Sequence, residues 1–274
     1  MNDLVTVGWL HDNIKDKNLI ILEASIESTA DGKQSENAQI TVPNARYFDL
    51  KNDFSDKQSS YPNTLPSAAE FSSKCRRLGI NQTSKIVVFD NLGVYSSPRV
   101  WWMFKTMGHE KVSVLNGGLP EWIRNGYPVN KRIMINYDIG DFEARPKNQQ
   151  VISYENILTN INDAKFTLID ARSKGRFEGV EQEPRKGLKS GHIPNSINIP
   201  FTKVIEGHKF KSKEKLKQIF IEKNLKSSEI VFSCGSGLTA CIVMLAHEIA
   251  FSNNKLLFDG SWTEYAERQN LKEH

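Results

Sequence analysis

The sequence predicts an α/β protein built from two tandem domains, each a mainly parallel sheet flanked by helices. Short, continuous apolar runs such as Ile86-Val87-Val88-Phe89 and Ile230-Val231-Phe232 alternate with helical patterns. That alternation is the mark of parallel strands buried on both faces. The 274 residues exceed the usual size of one domain and leave each half long enough to bury its own core. The two halves also repeat each other along almost their full length.

The correspondence begins with Ile21-Leu22-Glu23-Ala24-Ser25, which matches Leu168-Ile169-Asp170-Ala171-Arg172, both read as strand ends. Val42-Pro43-Asn44-Ala45 then matches Ile193-Pro194-Asn195-Ser196. Next, the strand Ile86 to Asp90 leads through a Gly-containing turn to a helix over Trp101-Trp102-Met103-Phe104, and a further strand ends at Asn116-Gly117-Gly118. In the second half the strand Ile230 to Cys234 leads through a Gly-rich turn to a helix over Cys241 to Ala250, and a strand ends at Phe258-Asp259-Gly260. Asp90 and Cys234 therefore hold equivalent places. Glu121-Trp122 matches Glu264-Tyr265 downstream. The expected boundaries are a first domain at 1–135, a polar linker at 136–150 carrying Gly140 and Pro146, and a second domain at 151–274.

Composition excludes several classes. At 39% hydrophobic and 25% charged residues the chain reads as globular. No apolar run approaches the roughly 18 residues of a membrane span, and the longest candidate, Ala240 to Phe251, is broken by His247 and Glu248. The first residues, Met1 to Gly8, lack the pattern of a signal or transit peptide, so a cytoplasmic location is expected. Cys75, Cys234 and Cys241 form neither a disulfide framework nor a Cys-x-x-Cys pair. Without that spacing or His-x-x-x-His, no metal or organic cofactor is expected. The net charge of +4 is mild, and the basic run Lys209 to Lys226 overlies Leu216, Ile219, Phe220 and Leu225 at helical spacing. It is read as a solvated helix face, with no nucleic-acid or membrane partner.

Cys234-Gly235-Ser236-Gly237-Leu238-Thr239 lies between a strand end and a helix start, where α/β folds place ligand sites. Its two glycines permit a tight loop whose backbone N–H groups turn inward, and the helix dipole adds positive potential at the same spot. The loop is expected to stabilise a thiolate or a persulfide anion on Cys234. Cys75 and Cys241 fall within helical patterns and are read as structural, and Trp101 and Trp102 as core.

The tandem repeat, the Cys234 loop, the segment Gly187-Leu188-Lys189-Ser190-Gly191-His192-Ile193-Pro194 and the end Asp259-Gly260-Ser261-Trp262 resemble the rhodanese superfamily. The Cys-Gly-Ser-Gly-aliphatic-Thr loop is similar to that of the 3-mercaptopyruvate sulfurtransferases, whereas thiosulfate sulfurtransferases carry basic residues after the cysteine. The resemblance implies two rhodanese-like domains with the active site at their interface. The first domain would be non-catalytic, with Asp90 at the cysteine position, and the second catalytic through Cys234 and Ser236. Gly235, Gly237, Leu238 and Thr239 would complete the active-site loop, and Arg176 and Arg185 would bind substrate. The implied partners are a small-molecule sulfur donor and a thiol acceptor such as thioredoxin, or cyanide. The resemblance also places an Asp and a His within the segment Phe48 to Pro66, to serve the loop hydroxyl. Asn63 stands at the His position, and the Asp falls near Lys51 or on Asp53, so a proton relay is not expected. His192 is expected to make a structural hydrogen bond.

Other readings compete. Gly235-Ser236-Gly237-Leu238-Thr239-Ala240 fits a dinucleotide fingerprint, with Asp259 downstream for a ribose. That fingerprint normally opens its domain and needs no cysteine. A phosphatase of this fold needs an arginine at the place of Ala240. A non-enzymatic persulfide carrier and a thiosulfate sulfurtransferase are further alternatives. For the donor, the uncharged Gly235 and Ser236 favour 3-mercaptopyruvate, and replacing them with Arg and Lys is expected to favour thiosulfate.

Overall fold

The computed structural model describes the chain except residues 30–31, 134, 147–149, 226, 253–255 and 271–274. The chain divides into two units. The first comprises Met1–Lys57, Leu65–Lys147 and Gly207–Phe210, and the second Gln58–Thr64, Asn148–Glu206 and Lys211–His274.

The first unit runs β1 (Leu4–Val5), α1 (Val7–Asn13), β2 (Leu19–Glu23), β3 (Ile40–Thr41), β4 (Arg46–Tyr47), α2 (Ala68–Arg77), β5 (Lys85–Phe89), α3 (Ser97–Thr106), β6 (Val112–Leu115), α4 (Gly118–Arg124) and β7 (Asn130–Lys131). Its main sheet has the order β1-β6-β5-β2-β4, and all its neighbours are parallel. Every residue of β2, and all of β5 after Lys85, is buried, as a sheet covered on both faces requires. The α2 helix starts on a capping box between Ser67 and Glu70, which satisfies the first free N–H groups of the turn. Trp101 and Trp102 of α3 are wholly buried.

The second unit runs β8 (Val151–Ile152), α5 (Tyr154–Asp163), β9 (Thr167–Asp170), α6 (Lys174–Glu178), β10 (Ile197–Asn198), α7 (Lys213–Ile221), β13 (Ile230–Ser233), α8 (Thr239–Phe251), β14 (Leu256–Phe258) and α9 (Ser261–Arg268). Between β10 and α7 lie the short strands β11 (Ile205–Glu206) and β12 (Lys209–Phe210), the latter counted with the first unit. The main sheet is again five parallel strands, in the order β10-β9-β13-β14-β8. Read from the other edge, each strand has its counterpart in the first sheet. The likeness reaches single bonds, since Ala24 donates to Phe89 O and Ala171 to Ser233 O, both at 2.8 Å. Asn44 and Asn195 share a left-handed backbone, with φ of 64° and 65°.

The basic stretch expected as a helix face is partly so. Leu216 and Phe220 of α7 are buried beneath exposed lysines, while Lys209 and Phe210 form a strand and Lys226 lies outside the described residues. The expected linker differs more. Gly140 donates to Arg76 O at 2.9 Å, Phe142 to Ile80 O at 3.2 Å and Arg145 to Met107 O at 2.8 Å. Phe142 is fully buried against Phe71, Phe104 and His109. Residues 136–146 therefore belong to the first unit, with Phe142 in its core, and 147–149 lie outside the described residues. Two aromatics, Tyr137 and Phe142, among polar residues are a weak signal in sequence, yet burying Phe142 removes enough apolar surface to fix the segment in place. Among the described residues no helix is long and apolar enough to cross a membrane.

Candidate active site

Cys234 directly follows β13, the middle strand of its sheet, and is 2% exposed. Its backbone is held by the first turn of α9. Cys234 N donates to Ser261 Oγ at 3.2 Å, and its carbonyl accepts from Trp262 N at 2.9 Å. The next carbonyl, of Gly235, accepts from Thr263 N at 3.1 Å and Thr263 Oγ1 at 2.8 Å. Ser261 keeps a left-handed backbone, φ 53°, where its counterpart in the first unit is Gly118, φ 52°. A side chain there strains the backbone, and the Ser261 hydroxyl offsets the strain by bridging Cys234 N to Phe258 O. Gly237, at φ 79°, turns its N–H back to donate to Cys234 Sγ at 3.1 Å. That is the inward-facing amide of an anion nest, and α8 begins two residues later at Thr239.

The rest of the loop is tied down as well. Leu238 is buried and accepts at its carbonyl from Cys241 N, while the Cys241 thiol donates to Gly237 O at 3.3 Å. Cys241 and Cys75 are buried in helices, and burial pushes the Cys75 thiol well above its ordinary range. No disulfide joins Cys75, Cys234 or Cys241. Asn63, from the segment 58–64 that packs in this unit, donates through Nδ2 to Ser236 Oγ at 3.1 Å and to Ser236 O at 3.3 Å. Its φ of 61° is one that asparagine tolerates better than most residues. Asp53 lies in the first unit and uses its carbonyl to accept from Lys74. His192 makes a hydrogen bond to Phe177 O at 2.9 Å and stacks on the Phe177 ring.

The two arginines differ. Arg176, on α6, reaches the loop so closely that a Cβ added at Gly235 would stand 2.8 Å from its Nη2. Arg176 also bonds Glu183 through Nε at 3.2 Å and Nη2 at 2.6 Å. Arg185 is 45% exposed and pairs with Glu267 of α9 at 3.8 Å. From the sequence no role is assigned to Glu183 or Thr263, and Ser261 is named only within the motif Asp259-Gly260-Ser261-Trp262. Glu183 sits beside Arg185 in the chain and Ser261-Thr263 follow Gly260, but only folding brings them to their partners.

In the first unit the equivalent place is filled. Asp90 accepts at its carbonyl from Leu119 N at 3.0 Å, as Cys234 does from Trp262. Its carboxylate then takes the amides of Leu92, Tyr95, Ser96 and Ser97 at 2.8 to 3.1 Å and the Ser97 hydroxyl at 2.6 Å. A built-in anion thus occupies the nest that Cys234 opens in the second unit.

The dinucleotide alternative fares poorly in this frame, since the glycines follow the middle strand and Gly237 N is committed to a sulfur. A profile of the rhodanese-like domain matches residues 6–125 and again 141–268. Thiosulfate/3-mercaptopyruvate sulfurtransferase 2 of Arabidopsis thaliana is 36% identical over 98% of this chain and 85% of its own length. Thiosulfate sulfurtransferase of Rattus norvegicus is 36% identical over 97% of this chain and 92% of its own. The crystal structure of the 3-mercaptopyruvate enzyme SseA from Escherichia coli superposes with a TM-score of 0.84 at 32% identity, covering 96% of this chain and 99% of that one. With two matched domains and relatives of this closeness, the chain belongs to the rhodanese family, as a two-domain sulfurtransferase.

Proposed function

We propose that this chain carries sulfur from 3-mercaptopyruvate, or less efficiently from thiosulfate, on a Cys234 persulfide and passes it to a thiol such as that of thioredoxin, or to cyanide. The reading takes the second sequence repeat, 151–274, as the catalytic domain and the first, 1–135, as its non-catalytic partner. A cytoplasmic setting agrees with three cysteines that form no disulfide. The observation that carries the proposal is the Gly237 N–H donating to Cys234 Sγ within a loop whose backbone is pinned at Cys234 and Gly235.

In the first half-reaction the Cys234 thiolate attacks the donor sulfur, an S–S bond forms and the donor C–S bond breaks. Pyruvate leaves as its enolate and takes a proton. In the second, the acceptor thiolate or cyanide attacks the outer sulfur and Cys234 leaves as thiolate. Ser236, accepting from Asn63, keeps its own proton to donate to the enolate oxygen. Gly235, Gly237, Leu238 and Thr239 shape the nest, and Arg176 supplies a guanidinium beside it. Arg185, nearly half exposed, is left to meet the donor carboxylate from solvent.

Relatives named for 3-mercaptopyruvate, at 35% identity, and for thiosulfate, at 36%, are similarly close, so the choice of donor is argued from the loop. Thiosulfate needs cations close to the sulfur under attack. The loop provides uncharged Gly235 and Ser236 there. Cys234→Ser is expected to abolish turnover and the mass gain of one sulfur atom after donor treatment, while Cys75→Ser and Cys241→Ser retain both. Turnover surviving in Cys234→Ser would sink the proposal.

A further inference from the structure

Arg176 can serve the Cys234 loop only if something holds it there. A long side chain loses rotamer entropy when it is fixed. Its position is set by a buried chain of alternating charges. At the end of β9, Asp170 takes Arg172 in a two-pronged pair, with Nε at 3.0 and 3.1 Å and Nη2 at 2.6 Å. Arg172 passes its other terminal nitrogen, Nη1, to Glu183 Oε1 at 2.7 Å. Glu183 then receives Arg176 through both Nε and Nη2. Side-chain exposure is 0% for Arg172, 3% for Glu183 and 15% for Arg176. The guanidinium of Arg172 also lies 4.5 Å over the Trp262 ring, and Trp262 is the residue whose N–H holds the Cys234 carbonyl.

The geometry points to Glu183 as a positioning residue for the sulfur-accepting half-reaction, an inference that rests on the reading proposed above. Glu183 shares one oxygen between Arg172 and Arg176 and gives the other to Arg176 alone. Arg176 is thereby gripped along its Nε–Nη2 edge, and that same Nη2 is pressed toward Gly235. The Nη1 N–H groups remain to meet an anionic donor. Two acids and two bases balance within the quartet, so Arg176 acts on the donor through the direction in which its Nη1 N–H groups are held. Gly235 is part of the same device. Any side chain there would displace the guanidinium.

The test is steady-state and single-turnover kinetics on Glu183→Gln and Glu183→Ala in the full chain, with 3-mercaptopyruvate as donor and cyanide as acceptor. Glu183→Gln keeps the shape and one acceptor, so it decides the matter if Glu183→Ala fails to fold. The expected result is a donor KM raised at least fivefold in Glu183→Gln. The titratable persulfide per molecule and the rate of sulfur transfer from preformed persulfide to cyanide should stay within about twofold of the parent. Gly235→Ala is expected to cost far less in the Glu183→Gln background than in the parent, because an Arg176 already released has nothing left to lose. An unchanged donor KM with kcat falling in step with the titratable persulfide, or strictly additive Gly235 and Glu183 effects, overturns the inference. If the parent itself forms no persulfide on Cys234, it is the proposed function that fails.

Discussion

Asn63 is the residue that most sets this chain apart from what its family resemblance implies. An amide fixed on Ser236 Oγ at 3.1 Å orients the hydroxyl but takes up no proton at neutral pH. The rate with 3-mercaptopyruvate is therefore expected to rise toward alkaline pH, following the ionised fraction of the donor thiol. Asn63→His should raise the rate near pH 7, since histidine also tolerates the left-handed backbone at this position. Equal pH–rate profiles for the parent, Asn63→His and Asn63→Ala would show the residue to be a bystander. Asp90 is the second telling residue. Its carboxylate accepts four amides and a hydroxyl while fully buried. Asp90→Asn turns one accepting oxygen into a donor facing other donors, and is expected to cost about 3 kcal/mol in urea unfolding. A loss under about 1 kcal/mol would refute its role as the first unit's internal anion.

At the scale of elements, α8 shows how a helix can be read from sequence while its pH response cannot. Its run from Thr239 to Phe251 is apolar nearly all round, which marks a helix packed on more than one side. Folding places His247 among Phe220, Phe232 and Phe251. Burial there lowers its pKa from 6.5 to about 4. The neutral form is the one the fold accepts, so the unfolded chain binds the proton more readily. Stability from this group is thus complete above about pH 6.5 and is lost as the pH falls to about 4, by about 3 kcal/mol in all. His247→Leu should remove this part of the acid sensitivity. Denaturation midpoints at pH 7 and pH 4.5 for both proteins measure it, and equal slopes would contradict the assignment. The expected linker carries the opposite lesson. Its polar composition hides that Phe142 closes the first unit's aromatic cluster.

For the whole molecule the question is which donor the charge distribution selects. A net charge of +4 attracts anionic donors of both kinds, so selection falls to the loop. kcat/KM is expected to be higher for 3-mercaptopyruvate than for thiosulfate. Arg176→Ala and Arg185→Ala should each lower the former about tenfold, the effect of one charge-assisted bond of about 1.5 to 3 kcal/mol. The structure changes how the converse experiment is made. An arginine at position 235 has no room beside Arg176, so the added cation belongs at Ser236, which is only partly buried. Ser236→Lys is expected to shift the kcat/KM ratio toward thiosulfate. A parent that already prefers thiosulfate, or arginine variants with unaltered 3-mercaptopyruvate kinetics, would refute this account of selectivity.

By itself the sequence determined the strands, helices and doubled order of the fold, the equivalence of Asp90 with Cys234, and the loop that carries the thiol. These follow from local patterns: buried runs, glycine spacing and cap residues lie close together in the chain and act over a few residues. The tertiary structure alone decided that Asn63 meets Ser236, that Ser261 and Thr263 hold the Cys234 loop, that Glu183 is shared by two arginines, and that residues 136–146 pack on the first unit through a buried Phe142. Each of these depends on side chains from distant or separately folded segments converging where water is excluded. Their worth comes from burial and mutual charge, which residue type and spacing along the chain do not encode.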